Sequence, residues 1–318
     1  MEEFNLSNYE SAPYLELDDY KAPKGINSYF VKMDDGIKIR VCHWIKKDSE
    51  AKGTILLQQG HNEFIEKYYE TIEEFMDKDY SVIAFDWRGQ GLSERTTSFT
   101  ERAFIKSFMR HDEDLKYILE KVINKYFQKP IIGIGHSMGG CLMLSAFHNH
   151  PEVFEKGILS APMLGFKNEK FLRTASSIMN LFKKDHDYLI GSRPNMGIET
   201  PFEINDLTSD INRYERALKL VRKKSELRLW GITNSFAKAV NARFKVIRQK
   251  GWAETINTKI LIINSLNDRV VDANKTIIMS KRLKNNKLIN FQECEHEVFM
   301  EKDIHRKKMW EEIDYFLK

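Results

Sequence analysis

The sequence predicts an α/β fold, with a mostly parallel sheet, helices on both faces and one helical cap insertion. Short apolar runs alternate with stretches of helical periodicity up to about residue 164. The alternation stops between about residues 165 and 255 and resumes with KILIINS, residues 259–265. Because ligands bind beyond the carboxyl ends of the strands in such sheets, an insertion here is expected to roof a binding site.

The elements of the core follow from local patterns. Residues 26–44, INSYFVKMDDGIKIRVCHW, contain two β-rich runs around Asp-Asp-Gly, which is typical of a hairpin. Apolar runs typical of buried strands are GTILLQQG (53–60), YSVIAFD (80–86), PIIGIG (130–135), KGILSAP (156–162), KILIINS and KLINFQ (287–292). Helical spacing predicts helices over about 64–76, 115–126, 138–150 and 272–284, and a last helix that ends at Lys318.

These patterns divide the chain into three parts. Residues 1–25 lack a period and are predicted to be an extended N-terminal lead-in. Residues 26–164 and 256–318 are predicted to form the α/β core, and residues 165–255 the cap.

Composition excludes several classes of protein. The 318 residues are 42% hydrophobic, which is enough for a sizeable core. The sequence contains no run of about 18 apolar residues, so we expect no membrane span. The N-terminus, MEEFNLSNYE, is acidic and is not typical of a signal peptide. The three cysteines lack disulfide or zinc spacing, so we expect reduced thiols, a cytoplasmic protein and no metal site. A net charge of +4 does not indicate a nucleic-acid partner.

The glycines between PIIGIG and the following helix allow two functional interpretations. Gly133, Gly135 and Gly139 are close to a dinucleotide-binding fingerprint, which would imply a nucleotide cofactor. That fingerprint normally occurs in the first βα unit and is followed by an acidic residue at the end of the next strand. Here several strands precede it and the next strand ends in Ser-Ala-Pro, so we expect no nucleotide and no other cofactor.

The alternative is a Gly-x-Ser-x-Gly nucleophile elbow, GHSMG at residues 135–139. A serine hydroxyl must project from a tight strand-to-helix turn, and side chains two residues before and after it would clash. Glycine at both places removes the clash. The pattern therefore predicts Ser137 as a nucleophile, against the simpler alternative of a glycine-rich turn with a solvated serine.

An elbow serine requires a base and a carboxylate that orients the base. In this arrangement the chain order is serine, acid, histidine, with the acid and the histidine each just after a late strand. Asp268 follows KILIINS, whereas Asp272 is better placed to cap the next helix. His296 follows KLINFQ, whereas His305 falls inside the last helix. We therefore predict Ser137, Asp268 and His296 as a catalytic triad.

The oxyanion of such a reaction needs two backbone N–H donors. One is predicted at Met138, the residue after the nucleophile. The other is expected in the loop after GTILLQQG, where Gly60 allows close approach of the backbone, and His61 is the candidate for its amide rather than its ring. An ordinary strand-end loop is the alternative for this segment.

Five segments carry a family resemblance: GHSMGG (135–140), FDWRGQGLSER (85–95), LSAPMLG (159–165), NDLTSD (205–210) and NEFIEKYYE (62–70). Together with the acid and the histidine, they resemble the lysophospholipase L2 and monoacylglycerol lipase group of α/β-hydrolases over roughly residues 25–165 and 200–318. The resemblance implies an α/β-hydrolase fold and a serine hydrolase that cleaves an acyl ester of a single-chain lipid without a metal or cofactor. Two departures are Gln59-Gly60 where the family usually has His-Gly, and Cys294-Glu295 before the histidine, where the family usually has small residues.

The cap suggests how such a substrate is met. Residues 210–250 contain twelve basic and three acidic residues, a net charge of +9. Residues 213–224, RYERALKLVRKK, have the pattern of a basic amphipathic helix, which either faces an anionic membrane surface or packs its apolar stripe on the core. We therefore expect a lipid ester substrate, most simply a lysophospholipid, with peripheral contact at the inner membrane face. The alternatives are a monoacylglycerol lipase, a small-ester esterase, a serine peptidase that releases N-terminal residues, and a non-catalytic binding protein.

Overall fold

A computed structural model describes residues 2–46, 51–167, 169, 174, 184–190 and 200–318. Part of the predicted cap, namely residues 168, 170–173, 175–183 and 191–199, therefore lies outside the described residues. The division into lead-in, core and cap stays a prediction.

Nine strands of the described chain form one sheet, in the order β1-β2-β3-β5-β4-β7-β8-β10-β11. The strands are β1 (Glu10–Ser11), β2 (Asn27–Lys32), β3 (Lys38–Trp44), β4 (Gly53–Gln58), β5 (Tyr80–Phe85), β7 (Ile131–His136), β8 (Phe154–Ser160), β10 (Lys259–Ser265) and β11 (Asn286–Phe291). Pairing is antiparallel between β1 and β2, between β2 and β3, and between β3 and β5. It is parallel along the rest of the sheet, in the order β5-β4-β7-β8-β10-β11. A separate pair joins β6 (Arg102–Ala103) to β9 (Trp230–Ile232). The mostly parallel sheet confirms the predicted fold class.

The longer helices are α1 (Tyr69–Asp77), α2 (Phe108–Ile118), α3 (Ser137–Asn149), α4 (Ile211–Lys223), α5 (Asn234–Ile247), α6 (Ala273–Ser280) and α7 (Asp303–Leu317). A π-helical segment, Leu119–Ile123, follows α2, and a short helical turn, Asn124–Tyr126, follows that segment. As predicted, Asp272 caps α6, accepting the N–H of Asn274 at 3.0 Å, and His305 lies within α7.

The buried parallel strands position the site. Every residue of β4, β5 and β7 is buried, as their continuous apolar sequences predict. β4 lies between β5 and β7, so the chain reverses direction across the sheet at this point. The crevice beyond the carboxyl ends of β4 and β7 is therefore the place where this architecture binds ligands.

Both faces of the sheet are covered. One apolar core contains residues of α2, α3 and α5, and the other contains residues of α1, α4 and α7. The lead-in contributes to the first core through Phe4, and to the sheet through β1, which pairs with β2.

Two further expectations can be compared with the structure. Cys42, Cys141 and Cys294 are all buried and form no disulfide, as predicted. In the part of the chain that is described, no helix is both long and apolar enough to cross a membrane.

Candidate active site

Ser137 lies at the tip of a sharp turn between β7 and α3. β7 ends at His136, and Ser137 begins α3 with a φ of 51°. A positive φ is uncommon for a residue with a side chain, and such strained residues cluster at functional sites. The conformation agrees with an elbow rather than with a plain glycine-rich turn.

The flanking glycines are required by close backbone contacts. A Cβ at Gly135 would lie 2.6 Å from the carbonyl oxygen of Gly139. A Cβ at Gly139 would lie 2.5 Å from the carbonyl oxygens of Gln58 and Gln59. These contacts hold the turn against the end of β4, which explains both glycines without a nucleotide. In addition, β8 ends at Ser160, without the acidic residue that a dinucleotide site would need.

The predicted acid and base are hydrogen-bonded to each other. Asp268 follows β10 and His296 follows β11, and the two side chains are 1% and 3% exposed. His296 Nδ1 lies 2.6 Å from Asp268 Oδ2. The other carboxylate oxygen of Asp268 accepts the N–H groups of Val270 and Val271 at 2.7 and 2.9 Å.

This environment favours an ionised Asp268. Burial alone would raise the pKa of its carboxyl, but the hydrogen bond and charge of His296 and the two backbone N–H groups outweigh it and hold the pKa below the usual value. An ionised Asp268 that accepts from Nδ1–H leaves Nε2 of His296 as the nitrogen that can take a proton.

The elbow and the histidine lie side by side. The ring of His136, which precedes the serine, is 4.7 Å from the ring of His296, centroid to centroid. Burial lowers the pKa of His136 to about 3, so this ring is neutral and adds no charge beside His296. A Cβ at Gly60 would lie 3.0 Å from Ser137 Cβ. The structure therefore brings the serine, the histidine and the loop after β4 to one place.

The loop after β4 and the first turn of α3 each carry one predicted amide donor. Met138 is the second residue of α3, where backbone N–H groups have no acceptor within the helix. His61 follows Gly60, and its amide donates no hydrogen bond to the described residues. The side chain of Gln59, at the departure from the family pattern, donates to Asp86 Oδ1 at 3.0 Å and so belongs to a buried polar cluster. Met138 and His61 stay predicted donors.

The segment after β8 covers the loop. Leu229 donates its N–H to Asn62 Oδ1 at 2.6 Å, and Phe236 of α5 packs on the His61 ring with centroids 4.5 Å apart. Asn62 has a φ of 60°, so the loop turns sharply under these contacts. Burial lowers the pKa of the His61 ring to about 4, which agrees with the expectation that the ring takes no part as a base.

A buried ion-pair cluster is hydrogen-bonded to the same loop. Glu63 Oε2 accepts the N–H of Gly60 at 2.6 Å and the hydroxyl of Tyr68 at 2.9 Å. Lys67 Nζ lies 2.7 Å from Glu63 Oε1 and 2.5 Å from Glu297 Oε1. Because Glu297 follows His296, one ammonium group connects the Gly60 loop to the segment that carries the histidine.

The two carboxylates of this cluster are unequal. Burial raises the pKa of both, but Lys67 and the other donors outweigh burial at Glu63 and lower its pKa to about 2. At Glu297 burial is the stronger effect and the pKa stays raised. Burial would lower the pKa of Lys67, yet the two carboxylates raise it, so the lysine is charged.

The cluster also has the composition of a cation site. Ligand atoms of Glu63, His136 and Glu297 lie within 4.8 Å of one another and all three residues are buried. Lys67 Nζ already lies within hydrogen-bond distance of both carboxylates. We therefore interpret the cluster as an ion pair in which lysine supplies the positive charge.

A pocket of about 220 Å³ opens beside these residues. It is bounded by His61 of the loop, by Glu297 next to the histidine, and by one face of α4. Its apolar wall consists of Phe64, Leu207, Tyr214, Ala217, Leu218 and Val221. The apolar stripe of the predicted amphipathic helix thus faces the site.

The basic residues of α4 are mostly paired with acidic residues of the protein. Arg213 contacts Glu70, Asp210 and Asp303 at 2.5 to 3.0 Å, and Arg216 contacts Glu70 at 2.6 Å. Much of the positive charge that the sequence suggested for a membrane surface therefore attaches α4 to the core. Membrane contact by this helix stays a prediction.

Sequence analysis missed Glu63, Lys67 and Glu297. Glu63 and Lys67 are four residues apart in NEFIEKYYE, a segment noted only for its resemblance. Glu295, at the departure from the family pattern before the histidine, instead contacts Arg269 at 3.5 Å and Asn267 at 3.0 Å. In the sequence, a fully buried Glu after the histidine cannot be distinguished from a partly exposed one before it.

Comparison with known proteins identifies the family and the relatives of this chain. The profile of the family described as serine aminopeptidase, S33, matches residues 49–303. A probable lysophospholipase L2 from Haemophilus influenzae is 25% identical over 287 residues, which cover 88% of each chain. A monoglyceride lipase from Rattus norvegicus is 29% identical over 123 residues, 39% of each chain. These relatives confirm the family resemblance.

Solved structures share the fold. A soluble variant of monoglyceride lipase from Saccharomyces cerevisiae superposes with a TM-score of 0.73 at 16% identity, covering 95% of this chain and 99% of that one. A carboxyl esterase from Bacillus coagulans superposes with a TM-score of 0.69 at 15% identity, covering 93% and 100%. The likeness confirms the α/β-hydrolase fold, and the matched profile shows that the chain belongs to the S33 serine aminopeptidase family.

Proposed function

We propose that this protein is a carboxylic-ester hydrolase that releases a fatty acid from a lysophospholipid through an acyl-enzyme on Ser137. The observation that carries the proposal is the buried His296–Asp268 hydrogen bond of 2.6 Å, next to a serine held at positive φ on an elbow. A protein that only bound lipid would not need this combination, so the chemistry disfavours a non-catalytic binding protein.

The first half of the reaction acylates the serine. Ser137 Oγ attacks the acyl carbon while His296 Nε2 takes the hydroxyl proton. Asp268 holds the imidazole in orientation and stabilises its charged form. The negative oxygen of the tetrahedral intermediate accepts from the amides of Met138 and His61. The ester C–O bond then breaks, and His296 returns the proton to the leaving glycerol oxygen.

The second half releases the fatty acid. Water gives a proton to His296 and attacks the acyl carbon of the ester on Ser137. The second tetrahedral intermediate uses the same two amides. Its bond to Ser137 Oγ then breaks, and His296 returns the proton to that oxygen, which leaves the fatty acid and a free serine. No metal or cofactor is needed for either half.

The choice of a single-chain lipid rests on the pocket and the relatives. A volume of about 220 Å³ lies below the ~300–1,000 Å³ usual for ligand pockets, which favours a slender substrate. The Haemophilus influenzae relative that spans 88% of both chains is named a lysophospholipase, whereas the Rattus norvegicus monoglyceride lipase spans 39%. Monoacylglycerol is the second candidate, and a small ester the third.

A peptidase that releases N-terminal residues is disfavoured by charge. Such an enzyme needs a free carboxylate to bind the substrate ammonium group. In the described part of the pocket the carboxylates are Glu63 and Glu297, and each already has an oxygen within 2.7 Å of Lys67 Nζ.

The test is fatty-acid release from a lysophosphatidylglycerol and a monoacylglycerol with the same acyl chain. We expect release from the lysophospholipid by the wild type and none by Ser137→Ala. The matched control is Ser145→Ala, which changes a second serine of α3 and is expected to keep activity. A fluorophosphonate should label the wild type and Ser145→Ala only. Unchanged labelling of Ser137→Ala, or release confined to the monoacylglycerol, would contradict the proposal.

A cytoplasmic location, with peripheral contact at an anionic membrane surface, belongs to the same proposal. It is supported by the three buried, unpaired cysteines and by the exposed basic side chains that remain on α4, such as Arg222 and Lys219. Sedimentation with vesicles of neutral or anionic lipid tests the contact. Binding that does not depend on lipid charge or on salt would exclude it.

A further inference from the structure

One arginine beside the candidate site lacks the partner that the others have. Among the described residues, every arginine except Arg95 and Arg228 has a guanidinium nitrogen within 4.0 Å of a carboxylate oxygen. Arg95 is bound by backbone carbonyls, with Nε 3.0 Å from the oxygen of Thr100. The guanidinium of Arg228 makes no hydrogen bond to the described part of the chain.

The position of Arg228 connects it to the site. It lines the 220 Å³ pocket together with His61, which follows Gly60, and Glu297, which follows His296. It also lines a shallower hollow of about 480 Å³ that contains Arg95 and Lys224. Arg228 therefore lies where the pocket beside the predicted triad meets a second hollow, whose other charged lining residues are Arg95, Lys224, Glu101 and Glu226.

Four glutamates line the two hollows at Arg228, but among the described residues no carboxylate oxygen lies within 4.0 Å of its guanidinium nitrogens. The side chain is only partly exposed, and burial lowers the pKa of its guanidinium to about 10, so it is charged at neutral pH. Glu63 and Glu297 of the pocket both bind Lys67, and Arg213 is paired with Glu70. A partly buried cation without a counter-ion gains free energy from an anionic ligand.

We propose that Arg228 binds the phosphate group of the substrate headgroup and thereby selects lysophospholipids over neutral monoacylglycerols. The proposal rests on the proposed function, because it uses the same site and the same ester chemistry. Guanidinium groups suit this role, since their paired N–H donors match phosphate oxygens in two parallel hydrogen bonds. The apolar face of α4 lies along the same pocket and contacts the less polar parts of the lipid.

The experiment compares Arg228→Gln and Arg228→Lys with the wild type, using lysophosphatidylglycerol and monoacylglycerol of one short acyl chain below their micelle concentrations. We expect Arg228→Gln to lower kcat/KM for the lysophospholipid by about 10- to 100-fold, as for loss of a charge-assisted hydrogen bond. The value for monoacylglycerol should stay within about twofold. Arg228→Lys should recover part of the loss. Equal effects on both substrates, or none on either, would overturn the proposal.

Two further measurements separate the possible outcomes. Arg110→Gln is the matched control, because Arg110 is an exposed arginine of α2 that pairs with Glu113 of the same helix; it should leave hydrolysis of both substrates unchanged. Inhibition of monoacylglycerol hydrolysis by glycerol phosphate and by inorganic phosphate reports anion binding directly. If the wild type ignored lysophospholipid, the proposed function would fail. Inhibition by glycerol phosphate that is lost in Arg228→Gln would then still support the anion site, and absence of inhibition would reject it.

Discussion

Replacing Lys67 by methionine tests the buried cluster beneath the site. The substitution keeps most of the volume and removes the ammonium group that lies 2.7 Å from Glu63 and 2.5 Å from Glu297. The three side chains are only 10%, 5% and 6% exposed, so water cannot replace the lost cation fully. Glu63 and Glu297 are then left close together without their counter-ion.

The expected cost follows from this burial. Breaking a buried ion pair by removing one partner costs about 3–5 kcal/mol of unfolding free energy, because an uncompensated charge remains. The catalytic effect follows from the hydrogen bond between Glu63 and Gly60, which fixes the loop of the predicted donor His61. A small displacement of a catalytic group can cost about 100-fold in rate, so we expect kcat to fall by up to that factor.

Urea unfolding at pH 7 and hydrolysis of a small soluble chromogenic ester provide the two readouts. The matched control is Lys287→Met, since Lys287 lies 2.6 Å from Glu312 but both side chains are well exposed, at 45% and 30%. We expect about 0–1 kcal/mol for the control. Adding Glu297→Gln to Lys67→Met should recover part of the stability by removing one buried charge. A loss no greater than that of the control, or no recovery, would refute the argument.

Three further predictions concern the elbow, the acid and the attachment of α4. Gly139→Ala places a Cβ 2.5 Å from two carbonyl oxygens at the end of β4. It should lower the free energy of unfolding in urea by about 1–3 kcal/mol and slow labelling by a fluorophosphonate. Normal stability would contradict the tight turn. Asp268→Asn should fold normally but lower kcat by about 10⁴-fold, and near-normal turnover would exclude Asp268 as the orienting acid. Burial opposes ionisation of Glu70, but Arg213 and its neighbours lower the pKa to about 2. Its contribution to stability is therefore complete above the unfolded pKa of 4.5 and is lost as pH falls towards 2. Glu70→Gln should reduce the loss of stability over that range, and an unchanged acid profile would show that Glu70 does not carry it.

The tight turn at Ser137 and the positions of the core strands along the chain were predictable because both depend on local rules. Gly135 and Gly139 are needed by the backbone of one turn, so their spacing is visible in five residues. The proximity of Asp268 and His296 was predictable because each follows an apolar run, and neighbouring parallel strands bring such positions to one edge. In these cases the order of the residues along the chain is enough to predict which groups lie close together.

The buried cluster was not predictable for the opposite reason. Lys67 and Glu297 are 230 residues apart, and their contact depends on how the 3₁₀ turn Ile65–Tyr68, just before α1, packs against the segment after β11. Nothing in the local sequence distinguishes a lysine that is buried between two carboxylates from one on a solvated helix face. Charged residues are rarely buried unless paired, and only the structure shows which ones are.

The distinction between paired and unpaired charges also changes how the basic residues of the predicted cap are interpreted. A count of charge gave residues 210–250 a net +9 and suggested attraction to anionic surfaces. In the structure, Arg213 and Arg216 of α4 are held by Glu70 and so hold α4 over the site. Our proposal therefore assigns substrate choice to a cation without a carboxylate partner rather than to the total charge. Arg228 is such a cation, and it borders the pocket beside the predicted triad. Removing it should alter selectivity more than removing several paired arginines, whose loss would instead loosen the cap.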